Sequence, residues 1–374
     1  MQTIAKALKK PITSTILAIL FGFIVAIIVL ACAGYNPFEA MYSLFHGMLG
    51  SPKYISNVII KSVPLIMTGV AIAFAFKAGL FNIGAEGQYI AGSIAAVIVG
   101  MSFNFPPVIQ IPLVLIAGMI AGAIFGAITG FLKAKFGIHE VITSIMLNWI
   151  ALYLCNYISN SSIFSMPEST STNPVNPNSY IMLLPDWKVS DQGMEALKQH
   201  PFLSSIMSTD VNFGIFIAIA VAIVISFLLY HTTKGYEYRA VGLSKDAAEF
   251  AGINVNRSIV QTMLISGAIC GLGAALVICG TYPHSISTLG VFENNGFNGI
   301  AVALIAGASP IGCIFSGLLF GGLLYGGQAV QFDTGAPTDI VNIMIGTIIF
   351  FVALTKVVPV IAAKLEKRGA KHDK

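Results

Sequence analysis

The stretch VIQIPLVLIAGMIAGAIFGAITGFL, residues 108–132, carries no charged side chain. A helix of about 20 apolar residues crosses a bilayer core, and this stretch is longer than that. Its glycines fall at 118, 122, 126 and 130, every fourth residue, so they line one face of a helix. Such a ridge lets another helix approach backbone to backbone; a glycine-lined pore wall is the other use of the pattern. Gly317 with Gly321, and Gly322 with Gly326, repeat the spacing further on.

Similar stretches lie on both sides. With 108–132 they give ten expected membrane segments: 12–33, 54–76, 88–103, 108–132, 139–158, 213–231, 258–281, 287–308, 311–330 and 338–357. The third is short for a full span, and the eighth holds Glu293, Asn294 and Asn295 near its start. Composition agrees. The 374 residues are 56% hydrophobic and only 10% charged, against about 25% charged in soluble domains. Mean hydropathy is +0.84. The fold class expected is all-α and polytopic, with lipid as the solvent for most of the surface.

Charge placement orients the chain. With the N-terminus inside, the cytoplasmic side receives Lys6, Lys9, Lys10, Lys77, Lys133, Lys135, Lys234, Arg239, Lys245, Arg257, Lys356, Lys364, Lys367, Arg368, Lys371 and Lys374. The outer side receives Lys53, Lys188 and Lys198, with Lys61 inside the second segment. This asymmetry puts both termini in the cytoplasm. The apolar run 12–33 is too long for a signal-peptide core and reads as the first span. The net charge of +4 lies in these loops, with no basic stripe interleaved with aromatics, so no nucleic-acid partner is expected. The five cysteines sit in apolar stretches without a C-x-x-C pair and read as small hydrophobes within the membrane.

The expected organisation is a cytoplasmic N-terminus (1–11), a first membrane half (12–158), an extracytoplasmic loop (159–212), a second half (213–357) containing a cytoplasmic loop (232–257), and a basic cytoplasmic tail (358–374). Five segments per half give the halves opposite topology. The outer loop is rich in Ser, Asn and Pro, and Met194–Leu197 reads as a short surface helix. All other connections are of turn length.

Three segments interrupt the apolar pattern. The first, Lys77-Ala78-Gly79-Leu80-Phe81-Asn82-Ile83-Gly84-Ala85-Glu86-Gly87-Gln88, mixes three glycines with amides and a carboxylate. It is either a wet cytoplasmic turn or a helix break, and a break at membrane depth is tolerated only against protein or a water-filled cavity. The second runs from Thr281 to Gly299 and includes Asn294, Asn295, Phe297 and Asn298. Paired breaks in two halves point to a solute path, whose candidate residues are Phe81, Asn82, Glu86, Gln88, Asn294, Asn295, Phe297 and Asn298. Amides and aromatic faces suit a neutral, hydroxyl-rich or base-bearing solute. The third is the inner loop, where Ser244 caps a helix Lys245–Phe250 that Gly252 ends. That helix is either solvated or fitted to a groove on another protein.

These segments resemble the sugar and nucleoside permeases of the ABC importer superfamily, within the branched-chain amino acid/ribose-type group, and most of all its guanosine-type nucleoside permeases. The resemblance rests on Gly79–Gln88, on Arg239-Ala240-Val241-Gly242 with Asp246-Ala247-Ala248 and Ala251-Gly252-Ile253, and on His139–Ile142 with Ile145–Asn148. It implies a type II importer fold with two inverted halves, working as the translocation path of an ATP-driven importer in the bacterial inner membrane. It implies a coupling role for Arg239, Gly242, Asp246, Ala247, Ala248, Glu249 and Gly252. The implied partners are a second permease, as a heterodimer, a cytoplasmic ATPase and a substrate-binding lipoprotein. ATP would bind the ATPase, because this chain has no Gly-x-x-x-x-Gly-Lys-Ser/Thr loop. No cofactor, metal site or catalytic residue is expected here. The alternatives are a simple-sugar permease and a proton-coupled carrier using Glu86 or Glu140. A membrane enzyme would need clustered acids or histidines, and the histidines here stand apart.

Overall fold

The computed structural model describes residues 11–353. The expected N-terminal tail and basic C-terminal tail, and the end of the tenth segment, lie outside the described residues. The elements are α1 (Pro11–Cys32), α2 (Pro37–Leu49), α3 (Pro52–Lys77), α4 (Ala85–Ser102), α5 (Pro107–Phe136), α6 (Glu140–Ser159), α7 (Pro185–Val189), α8 (Asp191–Gln199), α9 (Pro201–Met207), α10 (Gly214–His231), α11 (Thr233–Leu243), α12 (Lys245–Phe250), α13 (Val255–Gly280), α14 (Asn295–Ile305), α15 (Gly312–Thr334) and α16 (Thr338–Ala353). Among the described residues β structure is limited to isolated bridges. Helices α3, α5, α6, α10, α13 and α15 are each long and apolar enough to cross a membrane.

Local chemistry sets the ends. Asn36 accepts from the Phe38 and Glu39 amides to start α2. Ser244 accepts from Ala247 to start α12, and Asn254 from Arg257 to start α13. Gly137 takes the left-handed conformation that closes α5, its N–H bonding the Lys133 carbonyl.

The chain divides into two compact units. One comprises residues 55–321. At its centre α5 crosses α13 through the glycine ridge. A Cβ at Gly122 would strike the Gly267 carbonyl, and one at Gly126 the Met263 carbonyl. Reciprocally, Gly271 abuts the Gly118 carbonyl. The packing use of the ridge is therefore realised. The opposite face of α5 exposes Ile116, Ile120, Ile124 and Ile128, a stripe that suits lipid. The other unit holds residues up to Tyr54 and from Gly322. There Gly22 of α1 packs on Ile348 of α16, and Gly47 of α2 on Ala329 of α15.

Three expectations change. Residues 34–53 are not a plain turn but contain α2, whose buried Ala40, Met41, Leu44 and Gly47 form one face. Residues 232–257 hold α11 as well as the expected α12. The eighth segment is not a continuous helix: residues 281–294 are non-helical, and α14 has only 11 residues.

The loop 159–212 is ordered by pairing. It contains the expected helix around Met194–Leu197, within α8, together with α7 and α9. Its first part is strapped to the end of α13 and the chain after it. The Thr172 amide donates to the Ile286 carbonyl (2.8 Å), Val175 to His284 (2.9 Å) and Ile181 to Cys279 (3.0 Å).

Candidate functional site

The first break is a folded polar knot. Gly79, at φ +71°, turns the chain out of α3. The Asn82 amide nitrogen donates to the Gln88 Oε1 (2.8 Å) and the Ser266 Oγ (2.8 Å). Gln88 returns a bond to the Asn82 Oδ1 (3.1 Å). Ser266 in turn donates to the Ala71 carbonyl (2.7 Å). Asn148 of α6 accepts from the Gly87 amide (2.8 Å) and donates to the Ile83 carbonyl (3.1 Å). Asn82, Glu86 and Gln88 are fully buried. The reading of this segment as a wet turn is thus replaced by a break buried in protein, where its polar groups satisfy one another.

The second break descends along α6. Thr288 meets Asn160 (3.1 Å), the Leu289 amide donates to Asn156 (2.7 Å), and Phe292 packs edge-on against Trp149 (4.9 Å). Trp149 stands at the middle of the 20-residue α6. At 1.5 Å per residue the extended chain therefore reaches about 15 Å down the helix, roughly half a membrane. There Asn294, in the left-handed conformation at φ +65°, starts α14. The N-terminus of this half-helix meets Glu86. One carboxylate oxygen accepts from the Asn294 amide (2.8 Å), and the other from Gly296 (2.6 Å) and Phe297 (3.3 Å). A carboxylate at a helix N-terminus satisfies orphan donors and complements the dipole. Thr68 completes the junction, donating to the Asn295 carbonyl (3.0 Å). Gly296 has no room for a side chain, because a Cβ would fall on the Glu86 backbone.

The two breaks therefore meet through Glu86. Asn294 is exposed, while Phe81, Asn295, Phe297 and Asn298 are partly exposed. Thr68, Asn148 and Ser266 belong to the same junction and were absent from the residues named from sequence. Asn148 lay inside the quoted Ile145–Asn148 motif, which was its only signal. Glu140 pairs with Lys133 and accepts weakly from the Phe81 amide (3.5 Å).

Helices α11 and α12 sit at the other end of the first break. Gly242 lies on the backbone at Lys77–Gly79, where neither Gly242 nor Gly79 could carry a Cβ without displacing the other strand of chain. Arg239 stacks over Tyr230 (5.3 Å). Asp246, Ala247, Glu249 and Gly252 are exposed. Ala248 is not: it is buried against the chain's own helices at 3% exposure, so a contact with another protein does not pass through its side chain in this conformation. Leu243 and Phe250, at either end of α12, are instead 89% and 97% exposed. Among the described residues no three metal-ligating side chains gather.

A multi-pass helical chain with an interrupted span, buried polar junctions and a short helix pair beyond the bundle has the design of a membrane permease. Residues 54–353 match the family described as the permease component of branched-chain amino acid transport systems, and the chain belongs to it. It is a transport component, not an enzyme. It is 36% identical to the guanosine ABC transporter permease protein NupP of Bacillus subtilis (strain 168), covering 95% of this chain and 97% of that one. It is equally 36% identical to the nucleoside ABC transporter permease protein NupB of Lactococcus lactis subsp. cremoris (strain MG1363), over 93% and 92%. The glucose ABC transporter permease protein TsgB13 of Haloferax volcanii is 29% identical over 90% and 85%.

Proposed function

We propose that this chain is one of two permease subunits forming the path of an ATP-driven nucleoside importer in a bacterial cell membrane. The solute class is supported by the names of NupP and NupB, which match nearly end to end. A cytoplasmic ATPase binds and hydrolyses ATP, and a substrate-binding lipoprotein delivers the solute. Both termini and residues 232–257 face the cytoplasm, as the distribution of Lys and Arg supports. The two halves, 12–158 and 213–357, have inverted topology, and Glu86 of the first bonds α14 of the second.

The exposure of Leu243 and Phe250 carries the coupling role. Two large apolar side chains standing clear of a polar loop fit a cleft on another protein. Movement of α12 reaches the site by backbone contact, from Gly242 to Gly79, through the first break to Glu86, and so to α14. Phe81, Asn82, Glu86, Gln88, Asn294, Asn295, Phe297 and Asn298 form the wall and supports of the path. Arg239, Gly242, Asp246, Ala247, Ala248, Glu249 and Gly252 form and position the coupling helices.

The test is uptake of radiolabelled guanosine by the complete complex, with adenosine, uridine, ribose and glucose as competitors. Nucleosides should compete and uptake should require ATP. Competition by ribose or glucose alone would support the simple-sugar reading that the likeness to TsgB13 favours. Uptake driven by a proton gradient without ATP would refute the ABC reading.

A further inference from the structure

We infer that the face of α6 bearing Trp149, Tyr153 and Tyr157, together with Phe292–Asn294 beside it, is a binding surface for a planar base, with guanine the best fit. The three aromatic residues are spaced by four and share one helix face. Trp149 and Tyr153 lie nearly parallel, centroids 6.0 Å apart at 27°. Phe292 meets Trp149 edge-on, and Phe297 meets Phe292 at 5.6 Å. These rings are not core: Trp149, Tyr153 and Tyr157 are 46%, 64% and 73% exposed.

Their surroundings say what covers them. Trp149 stands at half the length of α6, below the interfacial level where Trp and Tyr meet lipid headgroups. Next to it, Glu293 and Asn294 are exposed. Hydrocarbon does not solvate a carboxylate or an amide at that depth, so this face borders a water-filled path. The stripe rises from there alongside the descending segment to Asn160. It offers a ladder of ring faces from the outer end of α6 to the helix break. Base stacking on aromatic faces needs such a surface and tolerates any base. The Glu293 carboxylate adds direction. It accepts only; one oxygen already takes the Asn295 side-chain amide (3.1 Å), and the lone pairs that remain on the two oxygens match the adjacent N1–H and amino donors on the edge of guanine.

The inference rests on the nucleoside reading above, and the test separates the two. In the complete complex, Trp149→Ala and Tyr153→Ala should raise the KM for guanosine about 5- to 150-fold, the range that loss of base stacking gives. Trp149→Phe should restore most of it. Glu293→Gln should lower guanosine uptake relative to uridine. A Tyr153→Cys chain, made with Cys32→Ser because Cys32 is the exposed native thiol among the described residues, should react with a membrane-impermeant thiol reagent. Guanosine should slow that reaction and ribose should not. No labelling of Tyr153→Cys in membranes, or unchanged KM in both alanine variants while nucleosides are still carried, overturns the inference alone. A wild-type complex that carries no nucleoside overturns the nucleoside reading itself.

Discussion

Replacing Glu86 with alanine should loosen the start of α14 while the rest of the bundle stays folded. The carboxylate makes two short bonds, 2.6 Å to Gly296 and 2.8 Å to Asn294, and one longer bond of 3.3 Å to Phe297. Glu86 and Gly296 are buried, whereas Asn294 is exposed. An unsatisfied buried donor costs about 1–3 kcal/mol. Counting only the buried Gly296 donor, since the exposed Asn294 can turn to water, Glu86→Ala should cost about 1–3 kcal/mol locally. Glu86→Gln keeps one acceptor but turns an NH2 group toward a backbone N–H, so about half that loss is expected. The measurement is hydrogen exchange across 294–300 in detergent-solubilised protein, with residues 263–275 of α13 as the internal standard. Protection of 294–300 should fall most in Glu86→Ala, less in Glu86→Gln, and remain unchanged at 263–275. Equal protection in all three proteins would show that Glu86 does not hold the half-helix, and the link proposed between the breaks would fail. A loss spread evenly over α13 would also refute it, because the damage would be global.

Phe250→Ala should abolish ATP-driven uptake in a protein that inserts and folds normally, because Phe250 touches little of its own chain; normal uptake would remove the docking role of α12. Ala248→Trp should instead lower the stability of the α11–α12 pair by about 1–3 kcal/mol, the usual cost of overpacking, read as faster proteolysis of that loop. Gly267→Val should disrupt the α5–α13 crossing, since its first side-chain carbon falls on the Gly122 carbonyl; a thermal midpoint equal to wild type would contradict the packing. His284 stacks on Tyr180 at 3.9 Å and bonds the Ile278 carbonyl. Burial holds its imidazole below the usual histidine range, against that bond and the nearby Asp210. Folding thus favours the neutral ring, so its contribution is complete above about pH 6.5 and is lost as pH falls below it. Exchange protection of residues 172–181 should therefore drop between pH 7.5 and pH 5, and His284→Gln should remove that dependence.

The sequence by itself determined the solvent, the all-helical polytopic class and the location of the two breaks. Hydrophobic length, charge asymmetry and glycine spacing are local quantities, so they survive without coordinates. Ser244, Lys245–Phe250 and Gly252 were legible for the same reason, because a cap and a stop act within a few residues. The tertiary structure decided which groups meet. No local rule could tell that Glu86 would accept from amides more than two hundred positions away, or that Asn148 would hold the first break. It also decided sidedness. Ala248 reads from sequence as a small docking residue, yet the turn of a six-residue helix points it inward and leaves Phe250 outside. The eighth segment shows the limit best. Its apolar length resembles a span, but the chain breaks inside it, and a carboxylate from another helix satisfies the free N–H groups of the helix that starts there.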